Sequence, residues 1–429
     1  MQPIVLREVV ESLAVVTDLM SPVLANHHLR VAHLAVRLAE AAGLAREDRH
    51  RLLLAALLHD CGALSVAERE EIKRFDSDFV GANGMRRHAE TGYLLLRDFG
   101  PFARMAATVR HHHRHWKHGR GRTAGPETVP REAFIIHLAD RIDVLLDYRA
   151  DLLMQTDAVT AAIRSGAGPI FDPGLVALFL DLAARESFWL DLEVAARHAV
   201  VTGGEGLPPV IIDAAGLEDL ARLFSHLVDF RSRFTATHSH GVAASAGKLA
   251  ELLGMDGEAQ AMMKTAGYLH DLGKLAVPRE IVDKKGPLTR GETSLLKRHS
   301  YYTWWILRRI GGLETITDWA ACHHERMNGR GYPFHYDGSQ LSTGARAMAV
   351  ADVFTAMTED RPYREGMTAT SVIRVLTRMA DGGVLDGKIV SLLIGNYAEV
   401  DRERAAVQQE ARHGYERFCS LLAREPAPV

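Results

Sequence analysis

The feature that most constrains this chain is an ordered set of histidines and aspartates that occurs twice. In the first half, His28 opens HLRVAHLAVRLAE, and His59-Asp60 ends the apolar run LLLAALLHD. His88 follows in RRHAETGYLLL, His112-His113 in VRHHHRHWKHGRG, and Asp140 in IIHLADRIDVL. In the second half, His238 opens HSHGVAASAGKLAE, and His270-Asp271 ends MMKTAGYLHD. His299 in KRHSYYTWWIL, His323-His324, and Asp352 in AMAVADVFTAM complete the second set. From residue 28 through 59, 88, 112 and 140 the steps are 31, 29, 24 and 28; from residue 238 through 270, 299, 323 and 352 they are 32, 29, 24 and 29. Four steps agreeing to within one residue in two halves of one chain identify a duplication. A chain of 429 residues also exceeds what one ordinary core supports.

Each copy reads as helical. In VAHLAVRLAEAAGL the apolar residues recur at steps of three and four and stop at Gly43; VAASAGKLAELLGM repeats the design and stops at Gly254. Alternating runs with hairpin turns are missing, so the expected fold is all-α, two duplicated helical-bundle domains in tandem. VTGGEGLPPV is rich in glycine and proline, which places the first domain at 1–200, a linker at 201–210 and the second domain at 211–429. FDPGLVALFLDLA and ESFWLDLEVAARHA read as closing helices of the first domain, and EARHGYERFCSLLAREPAPV as a terminal amphipathic helix fit for core packing or a homodimer contact.

Composition removes several classes of function. A net charge of −3 provides no basic field for nucleic acid. Three dispersed cysteines do not make a disulfide framework, which points to a reducing compartment. The N-terminal apolar pattern is interrupted by Arg7, Glu8 and Glu11, and no run has membrane-spanning length, so the expected location is the cytoplasm, without a membrane partner. The 22 histidines are the unusual component, because imidazole is the commonest side-chain metal ligand.

A lone His-Asp dipeptide carries no information. A complete ordered set on several helices does, because imidazoles and carboxylates converging from different helices suit a pair of first-row metals. Adjacent His and Asp let the carboxylate bridge two ions while the imidazole holds one. Such a pair acidifies water and neutralises charge developing on a phosphoryl group.

The order H, HD, H, HH, D resembles the HD metal-dependent phosphohydrolase superfamily. HDLGK (270–274), HHERMNGRGYP (323–333) and DVFTAMTEDRPYR (352–364) narrow the resemblance to the HD-GYP phosphodiesterases, over roughly Phe224 to Glu399. It implies a metal-dependent hydrolase of a cyclic dinucleotide, cyclic di-GMP foremost, yielding pGpG or GMP in bacterial signalling. The metal ligands it implies are His238, His270, Asp271, His299, His323, His324 and Asp352. It makes Asp271 the bridge and Lys274 a catalytic phosphate contact. Gly331, Tyr332, Pro333, Arg361 and Arg364 are the implied substrate contacts, with the GYP loop also a possible surface for other signalling proteins. Two metals are expected, iron or manganese first, with zinc compatible. Thr355 replaces an acid found three residues after the last ligand in many members, and Phe234 stands where a three-metal subset carries Glu.

The first half is a thinner copy. His28, His59, Asp60, His88, His112, His113 and Asp140 reproduce the ligand set, and Asp143 supplies the acid that Thr355 replaces. Ala63 stands where Lys274 does, Arg114 where the Glu of HHE does, and GYP and RPYR have no counterpart. A second metal centre is expected there; hydrolysis of another substrate, a regulatory or stabilising metal, and a packing or dimerisation module all remain open. In VRHHHRHWKHGRG, His112 and His113 are the expected ligands, while His115 and His118 are expected to be solvated. Two rivals to cyclic di-GMP hydrolysis stand beside it: turnover of a mixed cyclic GMP-AMP, and a degenerate sensor or partner-binding module without turnover.

Overall fold

The apolar stripes read from the sequence become helices in a computed structural model that describes residues 3–18, 26–63, 83–198, 209–230, 237–360 and 365–423. The chain divides into an N-terminal unit, Val9–Val210, and a C-terminal unit made of Met1–Glu8 with Ile211–Val429. The first eight residues were expected to open the first domain. They instead belong to the second, because strand β1 (Ile4–Val5) pairs antiparallel with a strand at Ile211–Ile212. Much of the expected linker, 201–208, lies outside the described residues.

In the N-terminal unit the helices are α1 (Leu6–Asp18, continuing from the other unit), α2 (His27–Ala41), α3 (Arg46–Leu58), α4 (Asn83–Leu96), α5 (Gly100–Arg110) and α6 (Arg131–Val144). The closing helices are α7 (Thr156–Ser165), α8 (Pro173–Ala183) and α9 (Glu186–His198). Helix α2 is buried almost all round and packs on α3 and α6, its buried His27, His28 and Arg30 each paired with a carboxylate. Two short strands, Thr123–Ala124 and Glu127–Thr128, form a ribbon beyond the histidine cluster.

The C-terminal unit repeats the plan. Its α-helices longer than a single turn are α10 (Ala214–Asp229), α11 (His238–Leu252), α12 (Gly257–Leu269), α13 (Arg290–Leu307), α14 (Glu314–Ala321), α15 (Thr343–Thr358), α16 (Ala369–Asp381), α17 (Gly387–Gly395) and α18 (Tyr397–Ala423). Helix α11 is the buried centre, packed on α12, α15 and α18. Ser239, Gly241, Ser245 and Gly247 keep its flanks narrow. Side-chain caps at Asp213, Asp256, Thr289 and Ser342 fix where α10, α12, α13 and α15 begin.

One close approach sets the site in both units. A Cβ on Gly62 would come 2.1 Å from the carbonyl oxygen of His88, and one on Gly273 would come 2.0 Å from that of His299. The glycine two residues after each His-Asp pair lets that turn press on the helix carrying the next histidine. This contact brings the ligands of two helices together.

Candidate functional site

Most of the expected ligands converge. In the C-terminal unit, His270 and Asp271 leave the end of α12, His299 lies on α13, His323 and His324 follow α14, His238 opens α11 and Asp352 lies on α15. Three sets of ligand atoms lie within 4.8 Å of one another: His238, His270 and Asp352; His270, Asp271 and His323; and His299, His323 and His324. Because His270 and His323 are each shared by two of them, the three sets overlap as one centre.

The hydrogen bonds aim the imidazoles inward. Nδ1 of His270, His299 and His323 donates to the carbonyls of Gly267, Leu296 and Ala320 at 2.6–2.7 Å. That fixes the tautomer and leaves Nε2 as a lone pair. The Nε2 atoms of His299 and His323 then lie 3.2 Å apart, and 3.4 and 3.9 Å from Asp271 Oδ1. His270 Nε2 and Asp271 Oδ1 are buried without a hydrogen-bond partner. Lone pairs facing lone pairs at this range repel in a dry site, and a cation relieves them. The residues therefore fit a metal.

Protonation matches. Burial alone would raise the Asp271 carboxyl, but His270 and Lys274 hold it well below the usual carboxylate range. Burial pushes His299 down to about 3, and lowers His323 and His324 as well. Ionised carboxylate and neutral imidazole are the forms that bind metal. His238 differs: against the effect of burial, Glu359 and Asp352 raise it to about 10. Its Nε2 is 3.3 Å from Asp352 and its Nδ1 is 3.1 Å from Glu359.

The substrate side is built on the same scaffold. Lys274 Nζ pairs with Asp271 Oδ2 at the rim of the centre. The Tyr332 ring lies 4.8 Å from that of His324 and 6.5 Å from that of His299, with Lys297 Nζ 5.1 Å from its centroid. Glu325 anchors this loop by accepting from the backbone N–H of Phe334 at 2.6 Å and His335 at 3.1 Å. Gly331 allows the loop to return, since a Cβ there would lie 2.4 Å from the Glu325 Cα. The Tyr332–Pro333 peptide is cis. Arg361, Arg364 and Phe234 lie outside the described residues.

The N-terminal unit holds a parallel centre, with one correction. Ligand atoms of Asp60, His88, His112 and His113 cluster, as do those of His27, His59 and Asp60. His27, not His28, takes the place of the opening histidine. Its Nε2 is 3.5 Å from Asp140 and 3.8 Å from Asp60, and its Nδ1 is 2.7 Å from Asp143. His28 turns its Nδ1 to Asp18 at 2.5 Å, and the equivalent pair in the other unit is Ser239 with Asp229 at 3.1 Å. The sequence held the signal: starting at His27 makes the first step 32, equal to that from His238 to His270. As in the other centre, Nδ1 of His59 and of His112 donates to a carbonyl three residues back, Ala56 or Val109. His59 Nε2 and Asp60 Oδ1 are buried without a hydrogen-bond partner.

The surroundings of this centre differ. Arg141, fully buried, lies 2.7 Å from Asp140 Oδ2, so the cation sits on the last ligand rather than on the His-Asp carboxylate. Arg114 donates to the carbonyls of Gly121 at 3.0 Å and Thr123 at 2.5 Å. The Glu325 anchor has thus been inverted, from a carboxylate accepting two amides to a guanidinium donating to two carbonyls. The loop that follows bonds through Trp116, Lys117 and His118 N–H to the carbonyls of Ile170, Pro169 and Gly168. His118 is exposed, as expected. His115 is half-buried and stacked on His137 at 5.7 Å, because the refolded loop lays it there.

Comparison with known proteins agrees with this geometry. HD-domain models match residues 24–145 and 222–389. The chain is 31% identical over 382 residues to 3'3'-cGAMP-specific phosphodiesterase 1 of Vibrio cholerae, spanning 86% of this chain and 87% of that protein. It belongs to the HD-domain phosphodiesterases. Two HD domains stand in tandem, and the relatives are of the HD-GYP type. A cyclic di-GMP phosphodiesterase of Pseudomonas aeruginosa is 40% identical over 151 residues, 34% of this chain and 35% of that one. The fold matches a crystal structure of a Vibrio cholerae cyclic GMP-AMP phosphodiesterase with TM-score 0.63 and 23% identity, covering 92% of this chain and 98% of that one. No helix among the described residues is long and apolar enough to cross a membrane.

Proposed function

We propose that the C-terminal HD domain is a metal-dependent phosphodiesterase that opens a cyclic dinucleotide. The observation that carries this is the set of inward-facing, unprotonated Nε2 atoms around Asp271, with Lys274 at the rim and Tyr332 beside His324. Seven imidazole and carboxylate positions of nitrogen-oxygen type fit first-row divalent ions, iron and manganese foremost. When bound, the metals supply an acidified water and positive charge for the phosphoryl group.

The chain's own residues account for the rest. The backbone carbonyls of Gly267, Leu296 and Ala320 hold the tautomers of their histidines. The Lys274 ammonium neutralises charge on a non-bridging phosphate oxygen, which is worth most where it grows in the transition state. Glu325 holds the loop that presents Tyr332 to the nucleotide. Arg361 and Arg364 remain proposed phosphate or guanine contacts from their motif.

Cyclic di-GMP is one candidate substrate. A mixed cyclic GMP-AMP is favoured by a separate observation: the relative matched through both HD domains is specific for 3'3'-cGAMP, whereas the cyclic di-GMP phosphodiesterase of Pseudomonas matches only about a third of this chain. Assaying both nucleotides with anaerobically purified, metal-analysed protein decides between them. Metal-loaded protein that turns over neither would sink the hydrolase reading and leave a sensor. For the N-terminal centre we propose metal binding without dinucleotide hydrolysis, since Ala63 stands in place of the phosphate-contacting lysine and no GYP segment follows Arg114.

A further inference from the structure

The two centres differ behind the opening histidine, and the differences fit together. In the N-terminal unit His27 Nδ1 bonds to Asp143 at 2.7 Å. Asp143 is in turn clamped by Arg30, with Nε at 2.5 Å and a terminal nitrogen at 3.0 Å, and by the Tyr148 hydroxyl at 2.5 Å. In the C-terminal unit the matching residues are Thr355 and Gly241, which have neither charge. Thr355 Oγ1 meets the Ser245 hydroxyl at 3.2 Å.

Another pair occupies the vacated space. Glu359 Oε2 is 3.1 Å from His238 Nδ1. The amide nitrogen of Gln408, on helix α18, lies 3.3 Å from Glu359 Oε2 and 3.2 Å from the carbonyl of Thr237. The Gln408 carbonyl oxygen accepts from Arg404, which is paired with Asp401. A Cβ at position 241 would lie 2.5 Å from Gln408 Nε2 and 2.8 Å from Thr355 Cγ2, so the bare Gly241 is what admits the glutamine. Helix lengths explain the displacement. Helix α6 ends at Val144, four residues past Asp140, whereas α15 runs to Thr358 and puts Glu359 two turns past Asp352 on the same side.

We propose that Glu359, steadied by Gln408, is the positioning residue that orients His238 for metal, replacing from one turn further along the chain the carboxylate that Thr355 lacks. Among the Nδ1 hydrogen bonds of the ligand histidines described above, those of His27 and His238 go to carboxylates and the rest to backbone carbonyls. A carboxylate partner raises the basicity of a ligating imidazole and locks its ring, and losing such a partner typically costs 10–100-fold in metal affinity. The C-terminal helix thereby becomes part of the metal centre although it carries no ligand. This assignment rests on the metal reading of the C-terminal domain.

The test is chelator-competed manganese binding by the full chain. The N-terminal centre contributes equally to wild type and variant, so the difference reports the C-terminal one. Glu359→Gln, close to isosteric, is expected to weaken that centre about 10–100-fold, with helical circular dichroism unchanged. Glu359→Ala is expected to do the same, and adding Thr355→Asp to it is expected to recover at least tenfold by returning the carboxylate to the Asp143 position. Unchanged affinity in Glu359→Gln overturns the assignment. A folded Thr355→Asp/Glu359→Ala chain no better than Glu359→Ala also overturns it, since generic packing loss would then account for the single variant. If Asp271→Ala leaves the metal content untouched, the metal reading itself fails, an outcome distinct from either.

Discussion

Replacing Lys274 by Met separates substrate chemistry from metal binding. The ammonium pairs with Asp271 at the rim of the centre and is largely buried. It is thus a unit positive charge a few ångströms from where a phosphate held by the metals would lie. At an effective dielectric of about 20, two unit charges about 4 Å apart interact by roughly 4 kcal/mol. Only the part that grows toward the transition state speeds the reaction. Removing one pre-positioned donor from such sites costs about 2.7–4 kcal/mol, or roughly 10²–10³-fold in kcat.

The same substitution has the opposite sign for the metal. Lys274 and His270 hold the Asp271 carboxyl well below its ordinary range, against the effect of burial. Without the lysine the carboxylate becomes more basic and no weaker as a ligand. Lys274→Met is therefore expected to keep its full metal complement while kcat for the turned-over cyclic dinucleotide falls by about 10²–10³. The assay is chromatographic detection of the linear product, with metal content measured on the same sample. A kcat within about threefold of wild type at full metal loading, or loss of metal with the lysine, would refute the reasoning. The N-terminal unit, with Ala63 at this position, is a natural version of the variant.

Three further outcomes are expected. His27→Ala lowers the metal content of the N-terminal centre, whereas His28→Ala leaves it, because only His27 points at Asp60 and Asp140; equal losses would restore the one-residue shift. Glu325→Ala takes the acceptor from two backbone N–H groups and frees the Tyr332 loop, so kcat/KM drops by roughly tenfold or more with metal retained; undiminished kcat/KM removes the anchor role. His240 is neutral when folded because burial, then His226 and Arg222, push it down to about 3. The unfolded chain takes up that proton below about 6.5, so the stability conferred by the neutral form is present above that pH and is lost as pH falls. Acidification from pH 7 to 5 then lowers the Tm of wild type more than that of His240→Gln, and equal drops would contradict the assignment.

The sequence was most informative where chemistry is tied to spacing. Four steps between His and Asp positions sufficed for the duplication and for most of the candidate ligand positions, and the three- and four-residue apolar periodicity for the helical class, because each candidate ligand sits at a helix end or on a buried face whose position that periodicity dictates. It misled by one residue at His27 and His28, since adjacent histidines have equal chemistry on paper. Only the rotation of α2 sends one toward Asp60 and the other toward Asp18. Loop anchoring was half legible: Arg114 for Glu325 reads as a loss in the sequence and proves to be an inverted anchor in the fold.

What the sequence determined by itself is the inventory, the residues that can hold a metal and the order in which helices bring them. The tertiary structure decided which group stands behind each ligand. Glu359 and Gln408 are 49 residues apart and share no motif; they meet because Gly241 leaves a gap and α18 crosses it. A contact of that kind depends on side chains from separate helices filling one space, and spacing along the chain does not encode it.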